Sequence, residues 1–155
     1  MRIDKQGLYF LFIIISMLVS GHSFAANKKE PIRPKVHYEP EEVTLVGKME
    51  LQTFIAANYV EGEPLKRDNL EKGWYLRLES PVDVIATKPH DDINCESEYN
   101  VKIVQLVVLD PDTSKKIRAI SVGTTLKITG ALFRRFSSHH HSRVLLGIKT
   151  LEIIK

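Results

Sequence analysis

The stretch Val101-Lys102-Ile103-Val104-Gln105-Leu106-Val107-Val108-Leu109 is apolar on both faces of an extended chain. A strand built from it needs cover on two sides. Directly behind it, Asp110-Pro111-Asp112-Thr113 reads as a turn. Ser114 is then placed to cap a short helix through Ser121, with Ile117 and Ile120 one turn apart and Gly123 near its end. A helix plugging one end of a barrel would supply part of that cover.

Two strands are expected before this unit. In Val43, Leu45, Gly47, Met49 and Leu51 the odd positions are apolar or small, while most even ones are polar, the period of a strand with one buried face. Trp74, Leu76 and Leu78 point one way, and Tyr75, Arg77 and Glu79 the other. Pro81 limits regular pairing after Ser80, and Val82, Val84 and Ile85 continue as an edge. Two strands follow the helix. Leu126, Ile128, Gly130 and Leu132 share a face of Thr125–Phe136, and Val144, Leu146 and Ile148 share one of Arg143–Ile154. Gly47 and Gly130 suit the bulges or sharp bends that a closed sheet requires. Three strands, a helix and two strands predict an all-β fold with one short helix: a small five-stranded OB-like Greek-key barrel over residues 43–155.

The chain has 155 residues, 43% hydrophobic and 26% charged, which excludes wholesale disorder and suits one domain. Cys95 is the only cysteine, so no intramolecular disulfide forms and the core must carry the stability. Arg2 and Lys5 precede the apolar run from Leu8 to Val19, and Ser23 and Ala25 are small residues suited to cleavage before Ala26. This is the pattern of a secretory signal peptide over residues 1–25. The run is too short to cross about 30 Å of hydrocarbon as a helix, so no membrane span is expected after cleavage. A periplasmic or secreted location follows. There the chain meets no pool of ATP or reduced nicotinamide. Residues 26–42 hold Pro31, Pro34 and Pro40 among many charges and read as a flexible or extended leader. The full chain has 22 basic and 19 acidic residues. Losing Arg2, Lys5 and Asp4 leaves a mature charge of +2. That is no footprint for nucleic acid.

Several stretches together resemble a known family. They are Asn58-Tyr59; Trp74-Tyr75-Leu76-Arg77-Leu78 leading to Pro81-Val82; Val104-Gln105-Leu106-Val107-Val108; Gly130-Ala131-Leu132-Phe133; and His139-His140-His141-Ser142-Arg143-Val144-Leu145-Leu146. The set resembles the bacterial exported domain-of-unknown-function family 4431, from about Val43 to Ile153. The chain departs from that pattern at Ser142-Arg143, where Thr-Pro is expected, and at Ala57, where Gly or Pro is expected. The resemblance implies an exported small β domain and adds no chemistry.

His139, His140 and His141 are the most unusual local feature, lying between the fourth and fifth strands. In an OB-like barrel that loop and the first connection, Asn58 to Gly73, border the binding face. Tyr59 would add an aromatic group to it, with Asn58 beside it. Arg134, Arg135 and Arg143 flank the histidines, and acidification would add imidazolium charge to theirs. The leading expectation is a non-enzymatic binding domain. Tyr59, Arg134, Arg135, His139, His140, His141 and Arg143 would recognise an anionic ligand, an envelope component or a protein partner. The alternative is a metal-binding protein. His139 and His141 share a face in extended chain and suit zinc or copper, given a third ligand from elsewhere. No other cofactor is expected.

The acidic stretch His90-Asp91-Asp92 with Cys95, Glu96 and Glu98 reads as a solvated connection. Nucleophile-elbow, phosphate-loop and His-Glu-x-x-His signatures are absent from the sequence. A small hydrolase or a thiol enzyme using Cys95 is therefore the minor third reading. Nucleic acid is not an expected partner.

Overall fold

The computed structural model describes residues 31–56, 59–62, 64–87 and 93–154. The signal-peptide stretch, the first part of the leader, Asn58 and the trio His90-Asp91-Asp92 lie outside them. In chain order the elements are β1 (Lys35–His37), β2 (Glu42–Ile55), β3 (Leu70–Ile85), β4 (Glu98–Val107), α1 (Pro111–Ala119), β5 (Thr125–Arg134) and β6 (Val144–Ile153). A single 3-10 turn, Arg67–Asn69, leads into β3.

β2 pairs with both β3 and β5, β5 pairs with β6, β6 runs parallel to β4, and β4 returns to β3. The sheet therefore closes into the expected five-stranded all-β barrel, and β1 adds a sixth strand outside it, parallel to β3. Among the described residues no helix is long and apolar enough to cross a membrane.

Alternation of side chains builds the core. Val43, Leu45 and Met49 of β2 and Leu126, Ile128 and Leu132 of β5 are buried together with Leu76, Val104 and Leu146. The alternation of β2 stops mattering after Met49. Leu51 is 38% exposed because β2 and β3 run on beyond the barrel as a hairpin with no core beneath it.

Gly47 is where β2 changes partner, from β5 over Glu42–Lys48 to β3 over Gly47–Ile55. No register shift interrupts β2 there. What the site needs is close approach, because an added Cβ would meet the Arg77 carbonyl oxygen at 2.3 Å. Gly130 does lie at a register shift, between Thr129 and Gly130 of β5, and its Cβ would lie 1.8 Å from the Gly147 carbonyl oxygen.

Four expectations change. Asp110, not Ser114, caps the helix. Its Oδ1 accepts from the N–H groups of Asp112 and Thr113 at 3.1 and 2.8 Å, and Pro111 fits the first helical position, where its missing N–H costs nothing. The stretch expected as a turn is thus the first turn of α1, and Ile117 plugs the barrel at 1% exposure.

β3 continues through Pro81. Its ladder with β4 breaks between Arg77 and Val82 and resumes, so Val82–Ile85 lies between β4 and β1 and is no edge.

The end of the expected leader is ordered. Tyr38 is fully buried, Arg33 pairs with Asp83 at 2.7 Å, and the N–H of Asp83 donates to the Pro34 carbonyl.

Tyr75, read as outward, is buried at 2% exposure, while Trp74 is half-buried against the core. Tyr75 lies on the outer face of β3, packed against Phe54 with ring centroids 5.8 Å apart. Burial pushes its hydroxyl up to about 12.

Candidate functional site

The outer wall of β3 and β4 needs cover for the same reason the sequence suggested: Val104, Gln105 and Leu106 are buried in succession. The core covers one face. The loop 135–143, between β5 and β6, covers the other. Its base closes through the Arg135 N–H, which donates to the Arg143 carbonyl at 3.0 Å, and the His140 N–H donates to the Ser137 carbonyl at 3.2 Å. Gln105, itself buried, accepts through one oxygen from the N–H groups of His141 and Ser142 at 2.8 and 3.2 Å. An apolar residue there would leave two donors unpaired.

This anchor fixes the imidazoles. The His141 ring stacks on Phe54 with centroids 4.0 Å apart and planes 5° from parallel. Its Nε2 lies 3.2 Å from Glu71 Oε2, and His139 Nδ1 lies 2.8 Å from Glu71 Oε1. One carboxylate therefore holds both rings. Their hydrogen bonds, His139's first, hold the Glu71 carboxyl below its usual range. His140 turns the other way, to Ser137 Oγ at 3.1 Å and edge-on to Phe136. Burial first, then the charges of His139 and His141, lowers its pKa. His140 therefore takes up its proton later in acidification than an ordinary histidine would.

Glu71 is opposite Phe54 in the β2–β3 ladder, beside the first connection. The histidine loop thus meets the start of β3 at this carboxylate. Glu71 is also the carboxylate that a metal reading needs. Its oxygens bond the two rings directly, however. Among the described residues no group of three His, Cys, Asp or Glu side chains is arranged to hold a metal ion. Tyr59 stands in the first connection, its N–H donating to the Ala56 carbonyl at 3.0 Å.

The arginines gather on the other flank. A cleft of about 520 Å³ is lined by Ile93, Cys95, Glu96, Arg134, Arg135 and Arg143. Arg134 Nη2 lies 2.7 Å from Glu96 and 3.5 Å from Glu98, and Arg143 Nη1 lies 3.6 Å from Glu98. The basic patch read from the sequence is thus a network of both signs. The guanidiniums of Arg134 and Arg143 face Glu96 and Glu98, Arg135 lines the same cleft, and Glu71 lies under the imidazoles of His139 and His141. Cys95 is a half-buried free thiol with its Sγ 4.0 Å from Arg134 Nη1.

Sequence reasoning missed Phe54, Glu71, Gln105 and the pairing role of Glu96 and Glu98. Gln105 had a signal, as an uncharged polar residue inside an apolar run. Glu71 had none, since only strand register brings it to histidines 68 and 70 residues away.

No curated protein matches the chain. Residues 103–152, which run from β4 through the histidine loop to β6 and include Gln105, match the family model of a domain of unknown function, DUF4431.

Proposed function

We propose that the chain is an exported, periplasmic or secreted, non-enzymatic binding domain. Its loop 135–143 recognises an anionic ligand, an envelope component or an acidic protein partner. The observation that carries this reading is the gathering of Arg134, Arg135 and Arg143 on one cleft, on one flank of a loop whose other flank carries His139 and His141. With neutral imidazoles the three arginines are balanced by Glu71, Glu96 and Glu98. Proton uptake by the histidines tips the balance to positive, and attraction for anions grows as pH falls.

Binding to vesicles containing anionic phospholipid, measured from pH 8 to pH 5, tests the reading. Binding that strengthens on acidification supports it, and a flat profile sinks it. A second reading, zinc or copper held by His139 and His141, draws on the Glu71 carboxylate brought to both rings. Calorimetric titration with both metals, comparing the wild type with His139→Ala/His141→Ala, separates the two. A weak isotherm unchanged by the substitutions removes the metal.

A further inference from the structure

Arg134 is held from several sides. Its backbone N–H donates to Asn94 Oδ1 at 2.9 Å, and Asn94 is 1% exposed. Glu98, with a side chain only 15% exposed, stands 3.5 Å from the guanidinium and also faces Arg143. Glu96 is different. Its carboxylate makes the shortest contact with Arg134, at 2.7 Å, yet its side chain is 71% exposed and lines the cleft together with Arg135 and Arg143.

We propose that Glu96 is a built-in stand-in for an external oxyanion. The carboxylate or phosphate of a ligand displaces Glu96 from Arg134 and is completed by Arg135 and Arg143, while Glu98 stays behind to hold Arg134 in place. The proposal rests on the anion-binding reading above. An exposed ion pair is weak and is easily exchanged for another partner. A guanidinium already desolvated and oriented is a ready oxyanion donor. Ile93 gives the cleft an apolar wall against which a ligand's carbon skeleton packs.

Calorimetric titration of the full chain with inorganic phosphate and with succinate, at pH 7 and low salt, tests this. The two arms distinguish a phosphate-bearing from a carboxylate-bearing source. Glu96→Gln is expected to bind at least one of the two about two- to fivefold more tightly than wild type. Arg134→Gln is expected to lose the binding. Asp112→Asn removes the same charge from exposed α1 and is expected to change nothing, which separates displacement from a general charge effect. If Glu96→Gln binds no better than wild type, or if Asp112→Asn gives the same gain, the stand-in is overturned. Wild-type vesicle binding is measured in parallel. Should it persist in that case, the anion-binding reading stands without the stand-in. Should it be absent as well, both fall.

Discussion

Gln105 is one polar side chain in an apolar strand, and it sets the position of a whole loop. Replacing it with Leu keeps the volume but strands the N–H groups of His141 and Ser142. We expect a loss of about 1–3 kcal/mol in urea unfolding, together with faster amide exchange across residues 139–142. At the core, Leu76→Ala should cost about 2–5 kcal/mol, because Leu76 is fully buried. Arg77→Ala should cost little by comparison. Its guanidinium is an exposed side chain paired with Glu50 across β2 and β3. Equal costs would mean that the inner and outer faces of β3 are misassigned. The histidines were legible because three in a row stand out in any composition. The groups that orient them were not, since Phe54 and Glu71 come from another hairpin and meet the loop only once that hairpin has its register.

The elements were legible where alternation and glycine placement act together, as in β2 and β5. Gly130 shows the physical reason: β5 and β6 approach so closely at the register shift that no side chain fits. Gly130→Ala is expected to destabilise by more than the about 1–3 kcal/mol of ordinary overpacking, read as a drop in thermal midpoint. A variant as stable as wild type would mean that the strands are not that close. β1 was hidden because Pro34, Pro40 and the charges around them mask two apolar residues, Val36 and Tyr38. Its strength comes from contacts that local pattern does not record: a parallel ladder to β3, the Arg33–Asp83 pair and the burial of Tyr38. The helix start was misplaced for a related reason. A Pro after an Asp reads equally as a turn or as the first residue of a capped helix.

For the whole molecule, pH acts on stability through carboxylates held below their usual range. The Asp83 carboxyl is held below its usual range by the Asn100 N–H at 2.8 Å and by Arg33. Glu71 is held low by the two imidazoles. Groups whose folded pKa is depressed add stability above their unfolded value, about 4, and lose it as pH falls through the folded value. Unfolding free energy should therefore hold its carboxylate contribution from neutral pH down to about 4 and decline below it. Asp83→Asn should be less stable at pH 7 and should show a shallower decline in acid. A variant with the wild-type slope would mean that Asp83 carries none of this linkage. The direct test of the anion-binding face is the salt concentration that elutes the chain from heparin at pH 7.5 and at pH 5.5, for wild type and for His139→Gln/His140→Gln/His141→Gln. Wild type is expected to need more salt at pH 5.5, and the variant to lose most of the difference. An equal increase in both proteins would place the effect on His37, His90 or another group and contradict the assignment of the anion-binding face to this loop.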